Sequence, residues 1–338
     1  MRAGAGGVHF FAAHTDFFEG GAGFFAADAA GDPFLKKRVG GGDGKGDFGC
    51  RRRDAGDGRH LVEDLLERQV FAAENVAAAW LPFRQCSHVC MSHLKHIHKV
   101  KPCVDVGRKF AVEKIDKRVP LVLGIGGNNT SELVLTIEGT VFKDIDAILS
   151  VCPYYNKPNQ EGIYHHFRTL ANASPVPIIL YTVPGRTSSN ITAATTLRLA
   201  NDFSNIIGIK EASGNFDQIF QVLKNRPKDF LVISGDDGIT LPLLAAGADG
   251  VISVIANAFP IQMSELVRFG LNGDFSMARK IHFQLIDLIN ALFVDGSPGG
   301  IKATLNLLHL CEDILRLPLV PVNKDVHKLI KKLIDQID

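Results

Sequence analysis

A lysine that closes an apolar strand is the residue of this chain with the most chemical reach. Lys210 ends the run "NIIGIK" (205–210), where burial would disfavour the charged form of its amine. The neutral amine is also the form that attacks a carbonyl. The plainer reading is a lysine that snorkels its charge to solvent at a strand end. Two more side chains at neighbouring strand ends favour catalysis. Tyr181 closes "VPIILY", and a phenol both donates and accepts, so it can pass a proton between amine, carbonyl and water. Arg186 follows shortly after, with a planar fork suited to a carboxylate. Alone, Tyr181 reads equally as a buried phenol with a satisfied hydroxyl, and Arg186 as a surface ion pair.

Two other signals are weaker. "CSHVCMSHLKHIHKVKPC" contains Cys86, His88, Cys90, His93, His96, His98 and Cys103, all zinc-ligand types, but the spacing fits no closed C-x2-C with H-x3-H arrangement. "GGGDGKGD" resembles a phosphate loop only in composition. No glycine stands five positions before Gly44-Lys45, and Gly46 replaces the hydroxyl residue that would reach magnesium. A flexible linker describes it better.

The elements that position Lys210 and its neighbours repeat. Short β-branched runs occur at "VPLVLGI", "DAILSVC", "VPIILY", "IIGIK", "FLVISG" and "GVISVIA", each followed by a helical pattern, at intervals of about 25 residues that mark βαβ units and a parallel sheet. Continuous apolar runs are what strands buried on both faces require. Three further helical stretches follow, about 275–294, 298–310 and 323–337. The polar residues gather after the strands, in Gly124–Thr130, Pro153–Pro158, Tyr181 to Arg186, Lys210-Glu211, Ser234–Asp237 and Ser253–Asn257. A (β/α)8 barrel carries all such ends to one face, where its active site lies. A doubly wound sheet would gather them at its switch point, but no G-x-G-x-x-G follows the first visible strand, so a dinucleotide site has little support.

Composition divides the chain. Nearly half of the glycines and a third of the phenylalanines precede His60, in a patchwork without sustained helical or alternating periodicity. Only "HLVEDLLERQVFAAENVAAAW" has helical spacing there, through Leu61, Leu65, Leu66 and Val70. Residues 1–108 are therefore unassigned, and 111–338 form the α/β domain. A net charge of +1 argues against a nucleic-acid or membrane-surface partner, and no apolar run reaches the ~18 residues a membrane span needs. Asp16 and Glu19 interrupt any signal peptide. Six scattered cysteines in 338 residues are no disulfide framework, so a reducing cytoplasm is expected.

"PYYNKPNQEGIYHHF", "ILYTVPGRT", "NIIGIKEASGN", "VISGDD", "GVISVIAN" and "LRLPLVPV", in this order over about 111–338, resemble the dihydrodipicolinate synthase family of pyruvate lyases, which also includes N-acetylneuraminate lyase and keto-deoxy-sugar acid aldolases. The resemblance implies a Schiff base between Lys210 and pyruvate, and condensation with L-aspartate-4-semialdehyde on the route to lysine and diaminopimelate. It implies a proton relay through Tyr181 and through Tyr155 of a neighbouring subunit. Arg186 would bind the semialdehyde carboxylate, and the backbone of Ile252 would lie beside pyruvate. Asn128, Glu132 and Tyr154 match part of a feedback site for lysine. It further implies no metal or organic cofactor and a homotetramer built as a dimer of dimers. Thr182 stands where such a synthase usually has Asn, so the turn after that strand is expected to be held less firmly.

The resemblance also shows what is missing. Such proteins open with a strand like "GVALVTPF" and a second strand ending in a "GTTGE" loop, which grips the pyruvate carboxylate and supplies a relay threonine. Neither text occurs before Val119. The expected fold is thus a (β/α)8 barrel with a C-terminal helical extension that lacks recognisable first and second strands, leaving two sheet edges to be covered. A shifted reading frame, a mis-joined gene or a fusion would account for residues 1–108. Three functions compete on this reading: a pyruvate-dependent synthase or aldolase, an inactive incomplete barrel, and a metal- or nucleic-acid-binding module in 1–108 fused to a barrel remnant.

Overall fold

The structure, a computed structural model, describes residues 8–9, 11–13, 108 and 111–337. Six strands carry the fold: β3 (Leu121–Gly124), β4 (Ala147–Val151), β5 (Ile178–Thr182), β6 (Ile206–Glu211), β7 (Leu231–Ser234) and β8 (Gly250–Val251). Each pairs in parallel with the next, and helices cover the sheet, forming a half-barrel. Two short strands, β1 (Val8–His9) and β2 (Phe11–Ala13), pair in parallel with β8 and β3 respectively. Only Phe10 separates them in sequence, so one stretch of chain serves both edges expected to stand open. Unpaired edges leave a row of backbone donors and acceptors unsatisfied, and this pairing meets part of that need. No strand was legible there because the surrounding Phe, Ala and Gly patchwork has no alternation to follow.

The helices are α1 (Thr130–Glu138), α2 (Gln160–Ala173), α3 (Pro184–Thr187), α4 (Ala193–Asp202), α5 (Phe216–Asn225), α6 (Thr240–Ala245), α7 (Pro260–Leu271), α8 (Phe275–Ala291), α9 (Gly299–Leu307) and α10 (Lys324–Ile334). Residues 111–115 are also helical and lead into β3. Side-chain caps start several of these helices where the sequence changes from strand to helix. Asn129, Asn159, Thr192 and Asn215 each accept hydrogen bonds from first-turn N–H groups of α1, α2, α4 and α5. The helices at the carboxy-terminal end fall within the stretches expected from periodicity.

Strand alternation separates two apolar layers. Ile148, Leu180 and Ile209 pack outward with Ile163, Phe167, Leu170, Leu199 and Val222 of the helices. Val122, Leu149, Ile179, Ile233 and Ile252 pack on the interior face. One register irregularity decides which face Lys210 takes. Ile178 pairs with Ile206, but Ile179 pairs with Gly208, so β6 carries one extra residue there. A one-residue slip exchanges the faces of every later side chain. After it, Ile209 faces the helices and Lys210 the interior. The helical pattern read at 60–80, the Cys/His cluster of 86–103 and the glycine run of 40–46 lie outside the described residues.

Candidate active site

β5 and β6 bring the two predicted catalytic groups into contact. Tyr181 and Lys210 are register partners, and Lys210 Nζ lies 4.3 Å from the Tyr181 ring centroid. Lys210 is 4% exposed, so the snorkelling alternative does not describe it. The ring face attracts a cation by about 0.5–2 kcal/mol, and a lysine amine attacks a carbonyl in its neutral form. Such an amine can serve as a nucleophile and later carry charge as an iminium. Gly235 gives its stem room: a Cβ there would stand 3.1 Å from both Cγ and Cε of Lys210 and 2.8 Å from Ala212 Cβ.

Asp237 stands in the turn that follows β7. It is 4% exposed, and its Oδ2 accepts the backbone N–H groups of Val254 and Ile255, each at 2.9 Å. These bonds tie the end of β7 to the loop after β8. Its Oδ1 is buried without a hydrogen-bond partner. Burial pushes the Asp237 pKa up, opposed by the Ser253 hydroxyl, the two N–H groups and the charge of Lys210. Ile252, also 4% exposed, lies on the same interior face, its N–H donating to Ser234 O at 2.9 Å.

Behind the strands, the next register pair, Thr182 and Glu211, faces the helices. Both are buried. The Thr182 hydroxyl donates to Asn190 Oδ1 at 2.9 Å and accepts the Ile191 N–H at 3.2 Å. The looser turn expected at Thr182 is thus not what the structure shows, because Asn190 brings an amide to the hydroxyl. Glu211 accepts the Ser213 N–H at 2.7 Å and Gln218 Nε2 at 3.0 Å. Burial raises its pKa, and these donors work against the rise.

Of the other predicted residues, Arg186 is exposed on α3, directly after β5. Tyr155 is 87% exposed and adopts φ +69°, an unfavourable conformation for a bulky residue. Asn128 Nδ2 donates to Tyr154 O at 3.2 Å, and Glu132 lies in the first turn of α1. The structure therefore joins Lys210, Tyr181 and Ile252 at the interior and Asn128 with Tyr154 beside α1, and it leaves Tyr155 outside. Sequence reasoning assigned no role to Asp237, Asn190 or Gln218. "SGDD" marked only the place of Asp237, and nothing local in the sequence marks the other two. It also missed His166, buried on α2 with Nδ1 2.8 Å from the Thr130 hydroxyl and Nε2 unpartnered. Burial pushes its pKa down to about 4.

Among the described residues, no group of three or more His, Cys, Asp or Glu side chains is arranged to hold a metal ion, and no helix is long and apolar enough to cross a membrane.

Comparison with known proteins identifies the family. Residues 108–337 match the model of the Dihydrodipicolinate synthetase family. A 4-hydroxy-tetrahydrodipicolinate synthase of Parabacteroides distasonis is 53% identical over 228 residues, covering 68% of this chain and 77% of that protein. The crystal structure of dihydrodipicolinate synthase from Aquifex aeolicus superimposes with a TM-score of 0.67 at 39% identity, covering 69% of this chain and 80% of that one. The chloride-inhibited dihydrodipicolinate synthase from Acinetobacter baumannii, complexed with pyruvate, gives a TM-score of 0.67 at 31% identity, over 84% of this chain and 92% of that one.

Proposed function

This chain belongs to the Dihydrodipicolinate synthetase family, and from that premise we propose that it acts as a 4-hydroxy-tetrahydrodipicolinate synthase, condensing pyruvate with L-aspartate-4-semialdehyde. The observation that carries the proposal is the buried Lys210 amine, 4.3 Å from the centre of the Tyr181 ring. The relative named for this activity and the solved relative complexed with pyruvate support it.

In this reading the neutral Lys210 amine adds to C2 of pyruvate, and water leaves as the imine forms. Loss of a proton from C3 gives the enamine, which bonds to the aldehyde carbon of the semialdehyde. The semialdehyde's amino group then adds to C2 and expels Lys210 as the free amine, closing the ring. Tyr181 moves the protons of these steps. Arg186 takes the semialdehyde carboxylate, and the backbone of Ile252 lines the pyruvate pocket. The reaction needs no metal or organic cofactor, because the iminium itself is the electron sink. Tyr155 reaches a neighbouring subunit's site; its exposure and strained backbone suit a residue that works outside its own chain. The assembly is a cytoplasmic homotetramer. The Asn128–Tyr154 pair and Glu132 form a lysine feedback site. The working unit is strands three to eight of a (β/α)8 barrel with its C-terminal helices, within 111–338, and residues 1–108 have no role assigned in this chemistry.

Borohydride reduction of the purified chain with pyruvate, followed by peptide mass spectrometry, tests the proposal. A reduced pyruvate adduct on Lys210 is expected. No adduct on a folded chain would favour a second reading, an inactive incomplete barrel. The observation behind that reading is that the segments pairing the two outer edges are only two and three residues long.

A further inference from the structure

The side chains behind β5 and β6 form a chain of hydrogen bonds with one consistent direction. The Thr182 hydroxyl donates to Asn190 Oδ1, Asn190 Nδ2 donates to Gln218 Oε1 at 2.7 Å, and Gln218 Nε2 donates to Glu211 Oε2 at 3.0 Å. Gln218 Nε2 also reaches Asn190 Oδ1 at 3.3 Å, closing a reciprocal amide pair. Gln160, at the start of α2, donates to Asn190 O at 2.8 Å, and its Oε1 accepts from the Thr192 N–H and from the Thr192 and Thr195 hydroxyls. An ionised carboxylate only accepts, so Glu211 requires the NH2 of Gln218 to face it, and the remaining orientations follow. Networks of this kind strengthen when every member is satisfied.

The register gives this network its meaning. Thr182 and Glu211 are the pair immediately after Tyr181 and Lys210. They face the helices while Tyr181 and Lys210 face the interior, so the amides grip the two strand ends from behind. We propose that Gln218, through its reciprocal amide pair with Asn190, is a positioning residue for the reaction: it locks the ends of β5 and β6 and so fixes the Tyr181 hydroxyl relative to the Lys210 amine. Gln218 touches no reacting atom and acts through Thr182 and Glu211. The inference rests on the imine chemistry proposed above, and it predicts where the loss will appear. A shift of one strand end against the other disturbs proton transfer between two groups on different strands more than it disturbs binding of pyruvate.

The readout is exchange of the pyruvate methyl protons for solvent deuterium, which reports enamine formation, followed by NMR alongside borohydride trapping on Lys210. In Gln218→Met, close to isosteric, exchange should slow by about tenfold or more, while the pyruvate concentration for half-maximal trapping stays within about twofold of the parent. Asn190→Leu should do the same, and the double variant should lose no more than either single change, because each breaks the same clamp. If Gln218→Met does not fold, Gln218→Glu, which sets a second carboxylate against Glu211, reads the same exchange. Parent-like exchange in a folded variant, or losses that multiply in the double variant, would overturn the inference alone. No adduct in the parent chain would remove the proposed function and this inference with it.

Discussion

The two sides of the sheet are held in different ways. From β4 to β7 the strands run four to six residues, all of β6 and β7 is buried, and the ends of β5 and β6 are bound from behind by side-chain amides. On the other side, β8 has two residues, β1 two and β2 three, and Asp237 holds the loop after β8 through two backbone donors. Lys210 and Tyr181 sit in the first region. In the proposed reaction, proton loss from the imine needs the amine and the phenol placed against each other, and the two come from paired, mostly buried strands. The grip on the pyruvate carboxylate, which the resemblance assigns to a loop after the second barrel strand, has no counterpart in the sequence before Val119. The difference teaches that the groups proposed for the imine chemistry stand on the longer, more deeply buried strands, so changes there test it most directly.

The hardest blow to the well-held side is Lys210→Met, for which no borohydride adduct with pyruvate should be detectable. An adduct persisting on another lysine would show that the nucleophile lies elsewhere. Tyr181→Phe keeps the ring beside the amine and removes the proton carrier. It should lower the rate of pyruvate deuterium exchange by about 100-fold or more while leaving trapping on Lys210 intact. Equal loss of trapping and exchange would mean that Tyr181 shapes the pocket rather than moving protons.

Acid sensitivity can be read through His166. Its folded pKa of about 4 lies below the ordinary 6.5, so the unfolded chain binds a proton between those values that the native chain refuses. Its contribution is full above pH 6.5 and is lost as pH falls toward 4, about 3 kcal/mol in all. Glu211 and Asp237 act in the opposite sense. Their folded pKa values are raised, so what they contribute is present below their ordinary carboxylate values and lost as pH rises through the raised ones. The difference in denaturant stability between the parent and His166→Phe, followed from pH 7 to 4, isolates the histidine: the parent should lose up to about 3 kcal/mol more than the variant. Parallel curves would mean that His166 takes up its proton as readily in the native chain as in the unfolded one.

How much of this was legible in the sequence follows the same division. The six strands after Val119 were readable because strands buried on both faces must be continuously apolar, and Lys210, Tyr181 and Arg186 stood out as polar residues where those runs stop. The extra residue in β6 was not readable, since "NIIGIK" offers no alternation from which to find a bulge, yet it decides that Lys210 faces inward. Asn190 and Gln218 were invisible for another reason. They lie 28 residues apart, one in a loop and one in the first turn of α5, and only the fold makes them partners. Val8–His9 and Phe11–Ala13 pair with β8 and β3 without carrying a strand pattern of their own, so the neighbouring edges, and not local propensity, account for them.

The smallest change tests whether the amide clamp bears on stability as well as on rate. Thr182→Val preserves shape and removes one hydroxyl that is fully buried. Two hydrogen bonds go with it, one to Asn190 Oδ1 and one from the Ile191 N–H. Asn190 Oδ1 keeps the Gln218 donor at 3.3 Å, but the buried Ile191 N–H is left without its partner, and an unsatisfied buried donor costs about 1–3 kcal/mol. Denaturant unfolding should show a loss of that size with an unchanged m-value. Because the Asn190–Gln218 pair survives, deuterium exchange should fall by less than in Gln218→Met. A Thr182→Val variant as slow as Gln218→Met would place the critical link at the Thr182 hydroxyl and leave the amide pair a supporting part.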